Sequence, residues 1–142
     1  MVTEVVRMGE VAAWLSPLLA TVSAAKLACL FGGDRASCCD EAVVIKHRGQ
    51  IIALTTIAPA GEMGSGEPAI VGVYTMPEWR RHGLGLEVLQ ATIRRCVERG
   101  LKPVRIDVMS SGLGRLVERL PPELKLWVNA QDMGSPLDSF PG

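Results

Sequence analysis

The sequence predicts a single domain of the α/β (α+β) class, in which helices flank a central mixed sheet. Short apolar runs typical of strands alternate with amphipathic helical patterns along the chain. The nearly continuous apolar run Ala69–Met76 is followed by a helical pattern and another strand, which indicates a parallel pair in the middle of the sheet. The length of 142 residues also fits one domain.

Composition and charge exclude several classes of protein. Hydrophobic residues make up 48% of the chain and charged residues 21%, which excludes an intrinsically disordered protein. Fifteen basic residues balance fifteen acidic ones, so no nucleic-acid partner is expected. The four cysteines have the spacing of neither a metal site nor a disulfide framework. We therefore expect a cytoplasmic protein without a bound metal.

The first third of the chain is predicted to hold an edge strand and a helical region. Val2–Met8 is a short apolar stretch that suits a strand at the edge of the sheet. Val11–Phe31 has its strongest apolar residues at helical spacing, but Pro17 and several polar residues interrupt it. A membrane-spanning helix needs about 20 apolar residues without such breaks. We therefore expect two amphipathic helices or one bent helix, ended by Gly32-Gly33, and no membrane association.

A hairpin, a loop and the central strand come next. Ala42–His47 and Ile51–Ala58 are predicted to be antiparallel strands joined by a tight turn at Arg48-Gly49-Gln50. Pro59–Pro68 contains three glycines and is predicted to be a flexible loop. Ala69–Met76 should be covered on both faces because nearly all of its residues are apolar.

The second half of the chain is predicted to continue with two helices and two strands. A helix should run from Leu84 to Arg99 and end at Gly100. Its predicted core stripe consists of Leu86, Leu89, Ile93, Cys96 and Val97.

The predicted order then continues to the end of the chain. A strand at Val104–Met109 is followed by a short helix at Gly112–Leu120, which Pro121-Pro122 should stop. A last strand is predicted at Leu124–Ala130, and Gln131–Gly142 is predicted to be a loose tail. We therefore expect one domain over residues 1–130 and a tail over 131–142. Apolar strands exposed at this end of the chain are compatible with a homodimer.

The stretch Val73–Gly85 carries the strongest chemical signal. An apolar strand ends at Pro77, and a basic loop with Arg80 and Arg81 leads to glycines at the start of a helix. The first turn of a helix offers N–H groups and a positive dipole end, and glycine lets a phosphate approach the backbone. From Pro77 to Arg105, seven basic residues stand against three glutamates. These features favour a ligand with a diphosphate or triphosphate group.

Other interpretations of this stretch remain open. The glycines alone also fit a tight turn, and the arginines a solvated surface. The pattern is not a dinucleotide-binding fingerprint, because only two glycines fit and no acidic residue ends the following strand. A Walker loop is absent, since no Gly-Lys-Ser or Gly-Lys-Thr occurs.

These residues resemble the GNAT superfamily of N-acetyltransferases. Arg80-Arg81-His82-Gly83-Leu84-Gly85 matches the (Q/R)xxGx(G/A) signature of that family, and Thr75–Arg80 matches the usual approach to it. The order of the predicted elements from Val2 to Ala130 also agrees. The resemblance implies a GNAT-like fold, in which the strand at 69–76 has a bulge and splays from the strand at 104–109. The acyl-CoA cleft lies between the two.

The resemblance implies acetyl-CoA, or another acyl-CoA, as the donor cosubstrate. The main chain near Val73 and Thr75 would hydrogen-bond the pantetheine arm as an added strand would. Arg80 and the backbone N–H groups that follow it would hold the pyrophosphate. The implied cofactor-binding residues are Val73, Thr75, Arg80, Arg81, His82, Gly83, Leu84 and Gly85.

The resemblance is weaker for the catalytic groups. Many members carry Asn-x-x-Ala-x-x-x-Tyr after the strand at 104–109, and that tyrosine protonates the leaving thiolate. This chain aligns Ser111 with the asparagine and has Glu118 or its neighbours in place of the tyrosine. Tyr74 is the only tyrosine, and Glu67 is the nearest carboxylate at the start of the central strand.

Each catalytic candidate also has a purely structural interpretation. Glu67 suits a solvated loop charge, Tyr74 a core aromatic residue, and Ser111 a helix cap.

Two further functions stay open beside the transfer of acetyl to a primary amine of a small molecule or a protein. One is a CoA-binding or interaction module that has lost catalysis, which the missing tyrosine and strand carboxylate favour. The other is an α/β module that binds a different phosphate compound. The sequence does not identify the amine acceptor.

Overall fold

Six strands and three helices carry the fold in a computed structural model that describes residues 1–7, 10–11, 41–58, 69–108 and 110–134. The strands are β1 (Val2–Arg7), β2 (Glu41–His47), β3 (Gln50–Ala58), β4 (Ala69–Thr75), β5 (Val104–Val108) and β6 (Val128–Asp132). The helices after β4 are α1 (Leu84–Glu98), α2 (Ser111–Glu118) and α3 (Pro122–Lys125), and a 3-10 turn spans Pro77–Trp79. The predicted helical region beyond Val11, its glycine end and the 59–68 loop lie outside the described residues.

The strands form one mixed sheet in the order β1-β2-β3-β4-β5-β6. The first four strands pair antiparallel with their neighbours, and β1 lies at the edge as the sequence predicts. Arg48 and Gly49 link β2 to β3, with φ angles of 51° and 77°. Left-handed φ angles at both turn positions match the twist of a two-residue hairpin, so the predicted hairpin is confirmed.

The second half of the sheet is parallel. β4 pairs with β5 as predicted, and β5 pairs in the same sense with β6 over five positions from Val104↔Val128 to Val108↔Asp132. Helix α1 connects β4 to β5 and packs on β2, β3, β4 and β5. The mixed α+β architecture expected from the sequence is therefore present in the described residues.

The bounds predicted for the last strand are wrong. The helix before Pro121-Pro122 ends at Glu118, as these prolines predict, but Pro122 also stands in the first turn of α3. Proline suits that position, because its fixed φ is helical and its missing N–H would have no partner there. Leu124 is therefore a buried helix residue, and the last strand begins at Val128 and extends to Asp132.

The predicted core stripe of α1 is incomplete. Leu89, Ile93 and Cys96 are buried as predicted, whereas Leu86 and Val97 are only partly buried. The helix also buries Leu84, Val88 and Thr92, and the first two of these pack against residues of β2 and β3. A helix that lies across both halves of the sheet needs a wider apolar stripe than one that covers a single pair of strands.

An ion-pair group ties α1 to β2. Arg95 donates hydrogen bonds from Nε to Glu41 Oε1 at 2.9 Å and from Nη2 to Glu41 Oε2 at 3.3 Å. Arg99 adds a third bond to Oε1 at 3.2 Å. The hydrogen bonds from Arg95 lower the pKa of the Glu41 carboxyl below its ordinary value of 4.5, although burial opposes them.

Neither a membrane-spanning helix nor a metal-binding cluster occurs among the described residues. Among the helices that the structure describes, none is long and apolar enough to cross a membrane. The same residues contain no group of three or more histidine, cysteine, aspartate or glutamate side chains that could hold a metal ion.

Candidate active-site cleft

The sheet opens between β4 and β5. The two strands pair only at Ala69↔Arg105 and Ile70↔Ile106, so the rest of β4 has no partner on this side within the described residues. On its other side β4 continues to pair with β3, and the register shifts between Thr55 and Ile57. Two β4 residues there stand opposite one β3 residue, which is a bulge in β4. The bulge and the splayed parallel strands agree with the cleft that the resemblance implies.

The main chain of β4 directs hydrogen-bonding groups into the opening. Met76 donates its N–H to Ile52 O on β3 at 2.9 Å. Because successive residues of a strand point their backbone groups to opposite sides, Val73 and Thr75 face away from β3, toward the open edge. Arg80 confirms this direction for Thr75, whose carbonyl oxygen accepts a bond from Arg80 Nε at 3.1 Å.

The start of α1 lies next to this edge and is open. Its first intrahelical bond runs from Glu87 N–H to Gly83 O at 3.1 Å, so the N–H groups of residues 84–86 come before the helical ladder. Arg81 and Gly83 have φ angles of 68° and 76°. Left-handed φ angles at two positions so close together curve the loop. Its backbone N–H groups then point into a concave surface that suits an anion. A Cβ added to Gly83 would meet no atom of another described residue within 4 Å, apart from its chain neighbours.

The splayed strands and the helix start border one cleft of about 1230 Å³. One wall is formed by β4, the loop after it and the first turn of α1. The other wall is formed by the start and one face of α2. The lining residues are Val73, Tyr74, Thr75, Trp79, Arg80, Arg81, Gly83, Leu84, Gly85, Leu86, Ser110, Ser111, Gly112, Leu113, Arg115, Leu116 and Arg119.

The cleft has a strongly cationic lining. Arg80 and Arg81 lie on one wall, and Arg115 and Arg119 lie on the other. None of these four arginines forms a salt bridge within the described part of the chain. The described lining contains no carboxylate and no imidazole. A lining of this charge favours an anionic ligand.

Tyr74 lies in this cleft beneath an arginine. Its side chain is only 3% exposed, and the Arg80 guanidinium lies 5.7 Å from the centre of its ring. Burial raises the pKa of the Tyr74 hydroxyl above its ordinary value of 10.0, and the charge of Arg80 partly opposes this shift. The Tyr74 hydroxyl therefore keeps its proton at neutral pH.

The structure brings together most of the residues that the sequence predicts for the site. Those that line the cleft are Val73, Tyr74, Thr75, Arg80, Arg81, Gly83, Leu84, Gly85 and Ser111. His82 is exposed beside it, with its ring 6.1 Å from that of Trp79. Glu67 lies outside the described residues.

Ser110 and Ser111 have different places at the start of α2. Ser110 is the N-cap, and its Oγ accepts a hydrogen bond from Leu113 N–H at 3.2 Å. Ser111 is the first residue of the helix and lines the cleft. The capping role considered for Ser111 therefore belongs to Ser110.

The wall formed by α2 was missed by the sequence analysis. Arg115 and Arg119 are four residues apart, which places them on one face of the helix and its end. That spacing was the available signal, but only the packing of α2 beside α1 brings both arginines to the same cleft as Arg80 and Arg81.

Comparison with known proteins identifies the family. The model of the acetyltransferase (GNAT) family matches residues 12–115. The chain belongs to the GNAT acetyltransferase family. The fold class and the resemblance predicted from the signature at 80–85 are thereby confirmed. A comparison with curated protein sequences finds no significant match.

Solved structures of other GNAT proteins share the fold at low sequence identity. The aminoglycoside N-acetyltransferase AAC(6')-Iy in complex with CoA is 13% identical, with a TM-score of 0.59 over 92% of this chain and 89% of that chain. An agmatine N-acetyltransferase is 18% identical, with a TM-score of 0.57 over 83% and 80%. A predicted acetyltransferase with acetyl-CoA from Clostridium acetobutylicum is 16% identical, with a TM-score of 0.54 over 83% and 86%.

Membership of the GNAT family establishes the class of chemistry. The protein is an acyl-CoA-dependent N-acetyltransferase, and acetyl-CoA is its cosubstrate. The residues of the cleft fit that cosubstrate, because the open edge of β4 suits the amides of a pantetheine arm and the α1 start suits a diphosphate.

Proposed function

We propose that the protein transfers the acetyl group of acetyl-CoA to a primary amine of a small molecule or a protein, by direct attack of the amine on the thioester. This proposal rests on two sets of backbone hydrogen-bonding groups that border one cleft, those at the edge of β4 and those at the start of α1. The unpaired edge of β4 leads directly to the first turn of α1, so both sets of groups can bind one extended molecule.

The donor side of the site is assigned to the backbone and to two arginines. In this proposal Val73 and Thr75 hydrogen-bond the pantetheine amides, as a neighbouring strand would. The N–H groups of the chain from Arg81 to Gly85 hold the diphosphate, with Arg80 and Arg81 adding charge. His82 lies in this loop and contributes its backbone N–H.

The acceptor side is assigned to fewer groups. A lysine-type amine has a pKa of about 10.4, so a base must remove a proton before or during attack. We assign this role to Glu67, which acts through water. The reaction forms a C–N bond and breaks the C–S bond. Tyr74, which keeps its proton at neutral pH, donates to the departing sulfur, and Ser111 orients the bound molecule.

Much of the rate enhancement can come from positioning alone. Holding the amine and the thioester together in reacting geometry avoids the entropy cost of a bimolecular encounter. No covalent intermediate with the protein is needed, and the described cleft lining contains no cysteine. The buried thiol of Cys96 has a pKa raised to about 11 by desolvation, so it is a poor nucleophile.

A pair of glycine variants tests donor binding. Gly83 and Gly100 have φ angles of 76° and 78°, and a Cβ at either position has no neighbour within 4 Å in the described part of the chain. Glu at either site adds the same charge and the same backbone strain, but only Gly83 lines the cleft. Calorimetric titration should show that Gly83→Glu abolishes CoA binding and that Gly100→Glu keeps it. Equal affinity of Gly83→Glu and the parent protein would refute this binding mode.

A panel of amines tests the transfer itself. Thiol release from acetyl-CoA should depend on one class among small amines, polyamines, aminoglycosides and peptides with free amino groups. Saturable CoA binding without release on any acceptor would favour the alternative, a CoA-binding module that has lost catalysis. The described cleft lining motivates this alternative, because it contains no carboxylate.

The single domain over residues 1–130, the cytoplasmic location and the homodimer stay predictions, whereas Gln131 and Asp132 of the predicted tail belong to β6. Leu126 and Met133, which flank β6, are 84% and 45% exposed, and such residues favour association of two copies through that end of the sheet. Sedimentation equilibrium of the full chain measures the oligomeric state directly.

A further inference from the structure

Seven of the described arginines form two groups with different surroundings. Arg95, Arg99 and Arg105 lie in ion pairs with Glu41 or Asp107, which accounts for them as parts of the fold. The second group comprises the four cleft arginines, Arg80, Arg81, Arg115 and Arg119, which have no carboxylate partner among the described residues. Mutual repulsion of unpaired cations in one cleft is unfavourable unless a ligand neutralises them.

The two pairs in the second group occupy opposite walls. Arg80 and Arg81 precede the first turn of α1 and accompany the proposed diphosphate site. Arg115 lies in the C-terminal half of α2, and Arg119, the C-cap of that helix, follows four residues later on the same face. Arg115 reaches back along its helix, since its Nη2 lies 3.9 Å from where a Cβ on Gly112 would stand. One diphosphate at the α1 start leaves the second pair without a partner.

We propose that Arg115 and Arg119 form a second anion site that binds the 3′-phosphate of CoA. This inference rests on the proposed function, in which CoA fills the cleft. CoA carries a phosphate monoester on its ribose, separate from the diphosphate. Such a monoester bears about −1.5 to −2 charges at neutral pH, because its second pKa is about 6. Guanidinium groups bind phosphate oxygens in a forked geometry that lysine cannot reproduce.

The decisive experiment compares CoA with dephospho-CoA, which differs only by the 3′-phosphate. Calorimetric titration of the parent protein should give at least about tenfold tighter binding of CoA. Arg115→Ala and Arg119→Ala should each reduce that preference, and the double variant should abolish it. The affinity for dephospho-CoA should stay within about twofold of the parent value.

Two controls separate a specific site from general charge. Arg94→Ala removes an exposed cation of α1 that does not line the cleft, so it should leave the preference unchanged. Arg115→Lys with Arg119→Lys keeps both charges and should retain only part of the preference. Circular dichroism and thermal midpoints establish that every variant folds, which is expected because both side chains are exposed.

The outcomes are distinct. Equal losses for CoA and dephospho-CoA in the double variant, or no loss for either, would overturn the second anion site and leave the proposed function standing. A parent protein that binds both ligands equally would overturn the site in the same way. A parent protein that binds neither ligand would overturn the proposed function itself.

Discussion

Gly85 of α1 lies against Leu116 of α2 so closely that a Cβ on Gly85 would stand 3.3 Å from Leu116 Cδ1. The same Cβ would be 3.7 Å from Val73 Cγ1, on the strand that forms the open edge. Gly85 has no left-handed φ angle, so the close approach of its neighbours, and not backbone conformation, requires glycine here. The absence of a side chain at Gly85 therefore sets the spacing between the two walls of the cleft.

We predict that Gly85→Val weakens acetyl-CoA binding by at least about tenfold. Its branched side chain must displace Leu116 or Val73, and either movement changes the cleft. Gly85→Ala should bind nearly normally, because Leu116 has to yield by only a few tenths of an ångström and alanine favours the helix by about 1 kcal/mol. Calorimetric titration measures both variants.

A second substitution checks the assigned cause. Leu116→Ala removes the atoms that the new side chain would strike, so adding it to Gly85→Val should restore most of the affinity. Parental affinity of Gly85→Val alone, or no recovery in the double variant, would contradict the proposed spacing.

The sequence predicted the donor half of the site because that half is local. Strand, turn, glycines and helix start follow one another within 73–85, and each has a propensity that acts over a few residues. The parallel pairing of β4 and β5 was also predictable from the sequence, because a strand–helix–strand connection of this length favours it.

The remaining features depend on tertiary packing. Val88 and Thr92 were absent from the predicted stripe of α1 because a single-faced pattern does not reveal that the helix lies on both halves of the sheet. Pro121-Pro122 marks the end of α2 as predicted, but the helix that Pro122 begins was missed, although proline suits the first turn of a helix. Arg115 and Arg119 became site residues only when α2 packed beside α1.

Thr55 lies on β3, next to the strand that borders the cleft, and tests how a buried hydroxyl affects the stability of the fold. Its side chain is fully buried in β3 opposite Val73, and its Oγ1 has no hydrogen-bond partner among the residues that the structure describes. Replacing a buried unsatisfied hydroxyl by a methyl group removes a desolvation cost. We predict that Thr55→Val raises the free energy of unfolding by about 1 kcal/mol, measured by urea denaturation.

Thr92 is the matched control for this prediction. It is equally buried, but its Oγ1 donates a 2.7 Å hydrogen bond to Val88 O. Thr92→Val should therefore leave stability unchanged or lower it by about 1 kcal/mol. If both variants changed the free energy of unfolding equally, the effect would come from valine itself and not from removal of the unsatisfied hydroxyl.

The Glu41 ion pairs predict a pH-dependent stability. The pKa of Glu41 is lowered from 4.5 in the folded protein, so its contribution is fully present above about pH 4.5 and is lost as the pH falls through the folded value. At pH 7, Glu41→Gln should lower the free energy of unfolding by about 1 kcal/mol, and the difference should shrink below pH 4.5. Urea denaturation from pH 3 to pH 7 measures the difference.

Glu98 serves as the comparison for Glu41. Its side chain is 68% exposed and lies 3.6 Å from Arg95 Nη1. Exposed pairs of this kind contribute little, so Glu98→Gln should change stability by less than about 0.5 kcal/mol at any of these pH values. If the free energies of unfolding of Glu41→Gln and the parent instead differed by the same amount from pH 3 to pH 7, that result would refute the assignment of the stabilisation to the carboxylate charge.

Tyr74 gives the sharpest test of the catalytic assignment, because it is the only tyrosine in the chain and its ionisation can be followed by ultraviolet absorbance. Burial raises its pKa, so the native midpoint should lie above 10.0 and fall on denaturation. Stability should accordingly decline above about pH 10, where only the unfolded chain readily loses the proton. With an acceptor from the amine panel, Tyr74→Phe should lower kcat at least about tenfold and leave CoA affinity within about twofold. An unchanged kcat would assign Tyr74 to packing beneath Arg80 and remove it from the reaction.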